Sequence, residues 1–401
     1  MKILEINKFY FSKGGADKHF LDLVELLESA GNEVAVFSMR HARNLESPWK
    51  KYFISLVGYT EGYSSWKKLK GISRMFYSLE AKRKINALLD KFKPDIVHIH
   101  NIYHQLSPAI LFEIKKRKIP IVMTVHDFKL ISPNHGLFLN GKEYSRCREG
   151  KYYRCFFDKA IKNSYVKSFL AMLEAYWHGK ILRTFEKNVD LYIAPSRFVK
   201  RTLVEDGLPE EKIAVLPHFI KKDEVCDDLI INESYAFYFG RISQEKGVRD
   251  LIEIFNNIEG MRLYLAGEIE NNFEVKENNK VKYLGYLNQN QLTDYIKNSH
   301  CVVSGSKLPE TFGLTALEAI ANGKPFLGYK SGAFPEIIEN GSNGFLAENK
   351  TKLWEAITKI ARDEMKFNSK TIKKLAHNDF NAKRYSQNVM ELFTSIIHLT
   401  K

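Results

Sequence analysis

The chain has 401 residues, 44% hydrophobic and 27% charged, with a formal net charge of +14. That is long for one domain, apolar enough to bury a sizeable core, and without a run near the ~18 apolar residues needed to cross a membrane. The four cysteines are sparse and show no C-x2-C spacing. They read as reduced structural thiols in a cytoplasmic protein, although Cys147 and Cys155 could pair or bind metal.

The opening MKILEIN carries an acid, Glu5, where a signal peptide needs an apolar core, so residues 2–6 read as a strand. Residues 16–31 follow as a helix, because Ala16, Phe20, Leu23, Val24 and Leu27 share one face and Gly31 stops it. Further strands are expected over 33–38, 95–100, 120–126 and 190–196. The series then restarts with strands over 235–240, 262–267, 281–286, 300–305 and 325–329. Strands alternating with helices imply parallel sheets, here two doubly wound α/β domains in tandem. The polar stretch 217-PHFIKKDEVCDD-228 reads as the boundary, and the cleft between the domains is the expected binding place. The positive charge is uneven: residues 1–220 hold 37 Lys and Arg against 23 Asp and Glu, whereas 221–401 hold 24 of each. The first half is therefore expected to face something anionic. No helix-turn-helix, RNP or zinc signature supports nucleic acid as that partner.

Four stretches carry candidate chemistry. In 307-KLPETFGLTALEAIANGKPFLGY-329, Glu310 and Glu318 flank Gly313 and the start of a helix. Unpaired amides at such a start form a seat for phosphate, and the two acids could grip the ends of an extended ligand such as a nucleotide sugar. A fully helical span would separate the acids by ~12 Å, too far for a hydrolytic pair. A capping acid beside an exposed one is the plain alternative. In 239-FGRISQEKGVRD-250, Arg241 and Lys246 bracket a turn and suit a diphosphate, or belong to a solvated loop. In 11-FSKGGADKHF-20, Gly14-Gly15 before a helix resembles a phosphate loop but matches neither dinucleotide nor Walker patterns. In 122-VMTVHDF-128, His126 ends a buried strand and is either a sugar ligand or a structural histidine. His98 is read as structural and His100 is left open. No H-E-x-x-H, D-x-D or carboxylate-rich set suggests a metal site.

The E-x7-E pair within P-E-x-F-G-L-x-x-L-E-A, the G-R-x-x-x-E-K-G at 240–247, the Gly-Gly loop and T-V-H-D at 124–127 together resemble retaining glycosyltransferases of family 4. Further features at 194–198, 332–336 and 341–345 fit the same pattern. The resemblance implies the GT-B fold: two Rossmann-like domains, with 1–218 holding the acceptor and 219–383 the nucleotide-sugar donor. A crossover helix, 384–401, is expected to return to the first domain. It also implies roles: Arg241 and Lys246 on the donor diphosphate, Glu310 on the sugar, Glu318 on the ribose. The Phe312, Gly313, Leu314 and Thr315 backbone and the Gly15 amide would meet phosphate, and His126 the reacting sugar. No cofactor or metal is implied. The chain departs from the pattern at Pro217-His218-Phe219, at Gly332-Ala333, and after 127-DFKLISP-133, where only Cys147 and Cys155 remain of a cysteine cluster.

The implied activity is transfer of a hexose from a UDP- or GDP-sugar to a glycan or lipid-linked acceptor in bacterial surface-polysaccharide synthesis. A sugar phosphorylase or nucleotide-sugar epimerase of the same fold, or a non-catalytic partner subunit, are the alternatives. Basic stretches 66–84 and 113–118 are expected to meet an anionic membrane, placing the protein in the cytoplasm at the inner membrane face.

Overall fold

Each apolar run read as a strand forms one. The computed structural model describes residues 1–56, 65–221, 233–270 and 273–400, with backbone alone for 65–70. Cys226 and positions 222–228 of the expected boundary lie outside the described residues. The chain divides into two units, Met1–Leu137 with Ser145–Pro217 and Lys383–Lys401, and His218–Ala382 with Phe138–Tyr144.

The first unit contains β1 (Lys2–Ile6), β2 (Glu33–Phe37), β3 (Ile96–Ile99) and β4 (Ile121–Thr124). A two-stranded hairpin, β5 (Phe138–Leu139) and β6 (Lys142–Glu143), precedes β7 (Leu191–Ala194) and β8 (Ile213–Val215). The main sheet runs β2-β1-β3-β4-β7-β8 with every pairing parallel. Its order reverses between β1 and β3. The second unit contains β9 (Tyr235–Phe239), β10 (Arg262–Ala266), β11 (Val281–Tyr283), β12 (Cys301–Val303), β13 (Phe326–Tyr329) and β14 (Gly344–Ala347). It runs β11-β10-β9-β12-β13-β14, also parallel, and reverses between β9 and β12. The edge strands β8 and β14 escape the sequence reading, being three and four residues long and, in β14, opened by a glycine.

A parallel sheet is covered on both faces, so each strand is apolar on both sides. In β9, Tyr235, Phe237 and Phe239 enter one core while Ala236 and Tyr238 enter the other. Tyr235 stacks on Tyr264 at 4.4 Å. The first sheet differs. Leu4, Ile6, Val97, Ile99 and Met123 share one core. The opposite side buries Glu5, His98 and Thr124 completely.

The last helix, Ala382–Thr400, belongs to the first unit. It buries Tyr385, Val389, Phe393, Ile396 and Ile397, spaced as one helical stripe. The Phe393 ring lies 5.3 Å from that of His98, and the Tyr385 hydroxyl is 3.3 Å from His19 Nε2. Truncating this wholly buried ring leaves a cavity over the polar face of the sheet. Phe393→Ala is expected to cost ~3–5 kcal/mol. Urea denaturation should show it as a lower midpoint, and an unchanged midpoint would mean that the helix is not held through this ring.

Candidate active site

A doubly wound sheet opens a crevice where its strand order reverses, at the C-terminal ends of the diverging strands. In the second unit the loops leaving β9 and β12 carry the charged candidates. After β9 the chain turns through Gly240, at φ 130°, and Gly247, at φ 65°. The Tyr238 hydroxyl donates to the Arg241 carbonyl at 2.7 Å and fixes the turn between them. Lys246 Nζ lies 2.6 Å from Glu310 Oε1, and Ser306 Oγ donates to the same oxygen at 2.8 Å. The half-exposed Arg241 guanidinium faces Glu245 and Glu270 at 3.6 and 3.8 Å. Lys246 and Glu310 thus meet directly, whereas Arg241 stands with other acids.

The two loops are held together by missing side chains. A Cβ on Gly247 would sit 1.7 Å from the Gly305 carbonyl oxygen, and one on Gly305 would sit 2.2 Å from that of Gly247. Glu310 is backed by a third loop. Gly332 lies against its backbone so closely that a Cβ would come within 2.3 Å, and the Ala333 amide donates to the Glu310 carbonyl at 2.8 Å.

Glu310 precedes the helix Leu314–Ala321, and Glu318 lies inside it, half-buried. Ala316 and Leu317 both donate to the Gly313 carbonyl, so the amides of Leu314 and Thr315 lie ahead of the helical ladder. Gly313, expected to admit a ligand, has a protein reason to be glycine. Its φ is 103°, and a Cβ would meet the Phe334 ring at 2.6 Å. Phe312 is buried against His218 and Phe380, with ring centroids 4.8 and 5.9 Å away.

In the first unit the reversal lies between β1 and β3. Asn7 Nδ2 donates to Asp17 Oδ1 at 2.8 Å, while Asn7 Oδ1 accepts from the Asn101 amide at 3.2 Å. These bonds tie the loop after β1 to the loop after β3 and to the helix Gly15–Ser29. Burial raises the Asp17 pKa, with Lys8, Asn7 and other neighbours opposing. A Cβ on Gly14 would meet nothing within 4 Å.

His126 follows β4 and is joined to a buried chain of side chains. Its Nε2 lies 2.8 Å from His100 Nδ1, and His100 Nε2 lies 3.1 Å from Glu5 Oε2. The other oxygen, Glu5 Oε1, is 2.9 Å from His98 Nδ1, and His98 Nε2 is 2.8 Å from Thr124 Oγ1. An ionised carboxylate only accepts. With three neutral rings, one tautomer set satisfies these four contacts: His98 carries its proton on Nδ1, and His100 and His126 carry theirs on Nε2. Among the described residues, Glu5, His98 and His100 are also the ligand-type cluster able to hold a metal ion, their ligand atoms within 4.8 Å of one another. The contacts at 2.9 and 3.1 Å fit hydrogen bonds. No motif scan finds this group. It exists because β1 and β3 pair with Glu5 opposite His98, and because residues two apart share a face.

Residues 13–224, more than half of the chain, match Glycosyltransferase Family 4, and residues 227–378 match Glycosyl transferases group 1. The chain is a family 4 glycosyltransferase. It is 26% identical over 366 residues to an uncharacterised 42.6 kDa protein of the cps region of Klebsiella pneumoniae, covering 87% of this chain and 90% of that one. Over 210 residues it is 25% identical to the lipopolysaccharide 1,2-N-acetylglucosaminetransferase of Salmonella typhimurium, covering 44% and 54%. Among solved structures, Anabaena HepE in complex with UDP and glucose superposes with a TM-score of 0.68 at 16% identity, covering 98% and 100%. Sucrose-phosphate synthase from Thermosynechococcus elongatus superposes at 0.72 with 17% identity, covering 99% of each. The fold is GT-B, and the family is a retaining one.

The transferase's departures from the family pattern have physical consequences. Cys147 and Cys155 are buried thiols outside any disulfide and hydrogen-bonded to each other, with Ser132 Oγ 3.1 Å from Cys147 Sγ. His218 is buried behind Phe312, and desolvation lowers its pKa to about 3. The folded glycosyltransferase therefore holds this ring neutral. The unfolded chain takes up a proton below about pH 6.5, so stability falls as the solution is acidified and stops falling near the folded value. This group alone should cost ~2 kcal/mol between pH 7 and pH 5. His218→Asn is expected to flatten that slope in thermal unfolding scans, and an unaltered slope would refute the assignment.

Proposed function

We propose that this glycosyltransferase moves a hexose from a UDP- or GDP-sugar to a glycan or lipid-linked acceptor during assembly of a bacterial surface polysaccharide. The observation that carries this reading is the Lys246–Glu310 contact, placed where the second sheet reverses and beside the start of the helix Leu314–Ala321. A cation, a carboxylate and helix-start amides side by side suit a ligand that offers phosphate at one point and hydroxyls at the next.

We assign the donor diphosphate to Arg241, Lys246 and the backbone from Phe312 to Thr315. Glu310 takes hydroxyls of the transferred sugar, and Glu318 takes the ribose. From the first unit, the Gly15 amide is assigned to the diphosphate and His126 to the sugar. As the bond from the anomeric carbon to the diphosphate breaks, negative charge gathers on the departing oxygens. Fixed cations and amides stabilise that charge more than they stabilise the intact donor. UDP is supported by HepE, solved with UDP and with UDP-glucose. A surface glycan is supported by the cps-region and lipopolysaccharide relatives. The first unit holds the basic half of the chain, and the reading places the enzyme at the inner membrane face. Among the described residues no helix is long and apolar enough to cross a membrane.

A screen of the purified chain against UDP-, GDP- and ADP-sugars, reading nucleotide release, tests the assignment. Release from none of them sinks it. Lys246→Ala and Arg241→Ala are each expected to lower turnover by about 10²–10³ while leaving the melting temperature near wild type. Near-normal turnover in either removes that residue from the leaving-group site. Glu318→Ala should weaken nucleotide binding, and a 2′,3′-dideoxy nucleotide should then show little further loss. Fully additive losses would place the ribose elsewhere.

A further inference from the structure

Several cations of the basic stretches singled out in the sequence are paired within the protein where their side chains are described. Lys115 pairs with Asp190 at 2.5 Å, Arg117 with Asp90 at 2.8 Å, and Lys116 and Lys82 with Glu113 at 3.1 and 3.3 Å. Arg74 is buried and paired with Glu80. The side chains of 66–70 lie outside the described residues. A different surface of the first unit has the opposite character.

The helix Tyr165–Ala175 continues into a wider π-type turn over Tyr176–Ile181. Its pattern is inverted. The side turned inward carries Ser168, Ala171, Glu174 and His178, all buried. The exposed side carries Tyr165, Val166, Phe169, Leu173, Trp177 and Ile181, with Val166 71% and Ile181 63% accessible. The inward polar groups are satisfied: Glu174 holds Lys129 and His104 at 2.8 and 3.2 Å. His178 bridges the Thr184 hydroxyl and the Met75 carbonyl at 3.0 and 2.8 Å. Phe156 extends the apolar side to the helix Tyr153–Phe157. Its ring lies 5.4 Å from those of Phe157 and Tyr165 and 5.8 Å from Phe169. At the other end Trp177 meets Phe76 at 6.4 Å, beside exposed Tyr77 and Leu79.

Cations outnumber acids on this surface, although Lys151 and Arg183 at its ends are paired with Glu149 and Glu186. Residues 150–183 contain seven Lys and Arg and two acids. Both acids are used within the protein, Glu174 as above and Asp158 by Arg146 at 3.0 Å. Lys162, Lys167 and Lys180 are exposed, and Lys159 stands 4.5 Å over the Tyr165 ring.

We propose that the exposed face of residues 153–181 docks the enzyme onto an anionic lipid bilayer. Contiguous exposed apolar area of this kind marks a binding surface. Tyrosine, tryptophan and phenylalanine among lysines, with no free acid, match the boundary between acyl chains and negative headgroups. A protein partner would need polar groups to meet its own backbone and side chains, and this face offers few besides cations. The proposal draws its purpose from a membrane-borne acceptor, but the docking stands on this surface alone.

The test uses the full chain in sedimentation with phosphatidylglycerol-containing vesicles and with pure phosphatidylcholine vesicles, at low and high salt. Preferential binding to the anionic vesicles, weakened by salt, is expected. Phe169→Ser with Trp177→Ser should abolish it, and Lys162→Glu with Lys167→Glu should weaken it by roughly tenfold or more. Lys116→Glu should leave it unchanged. Vesicle-free nucleotide release should stay at wild-type rate in all of these variants, whereas Lys246→Ala loses it, so failure of docking is separable from failure of the transferase reading. Binding that survives the Phe169/Trp177 change overturns the proposal. So does a lipid-free dimer, seen by sedimentation velocity and broken by that change, which would show a second copy covering the face.

Discussion

Two neighbouring strands that leave a parallel sheet in opposite directions open a gap that neither connection covers. Both units of this protein are organised around such a gap, between β1 and β3 in one and between β9 and β12 in the other. Strand ends there point backbone carbonyls outward, helix starts point amides inward, and loops must turn sharply without filling the space. Glycines accordingly gather at 240, 247, 305 and 313, and the charged side chains of the second unit sit on the loops between them. Chemistry is placed by topology first and by side-chain choice second.

The two gaps solve their electrostatics differently. In the second unit Lys246 and Glu310 are partly exposed and paired with each other, so solvent shares in balancing both charges. In the first unit the acid is wholly buried. An unpaired Glu5 in that position would be very costly. The fold meets the constraint with two histidines, on which a threonine and a third histidine converge. One consequence reaches the surface: the proton on His126 is positioned by a carboxylate two residues removed along the hydrogen-bond chain.

Much of this was legible in one dimension, and what was not has identifiable causes. The central strands announce themselves because a strand buried on both faces must be apolar throughout, and 120-PIVMTVH-126 or 235-YAFYFG-240 can be little else. The second unit's loops were legible because their residues are contiguous in 240–247 and 307–329. Glu5, His98 and His100 were not, since their association is a matter of register between strands more than ninety residues apart. The ion pairs of the cluster 113–118 were hidden for a related reason: Lys115 and Arg117 are answered by Asp190 and Asp90 from distant segments. The face of Tyr165–Ile181 escaped because a helix with large apolar residues every third or fourth position reads as a core helix. Only its neighbours reveal that the small and polar side is the buried one.

The glycine pair at 247 and 305 has a consequence for inheritance. Every codon change that replaces glycine adds at least one carbon, and either position meets the other's carbonyl oxygen as soon as it does so. No second substitution can compensate, because none is smaller than the residue already present. A side chain at either site therefore has to push the two loops apart, so the spacing between the lysine loop and the glutamate loop is set by these two missing Cβ atoms.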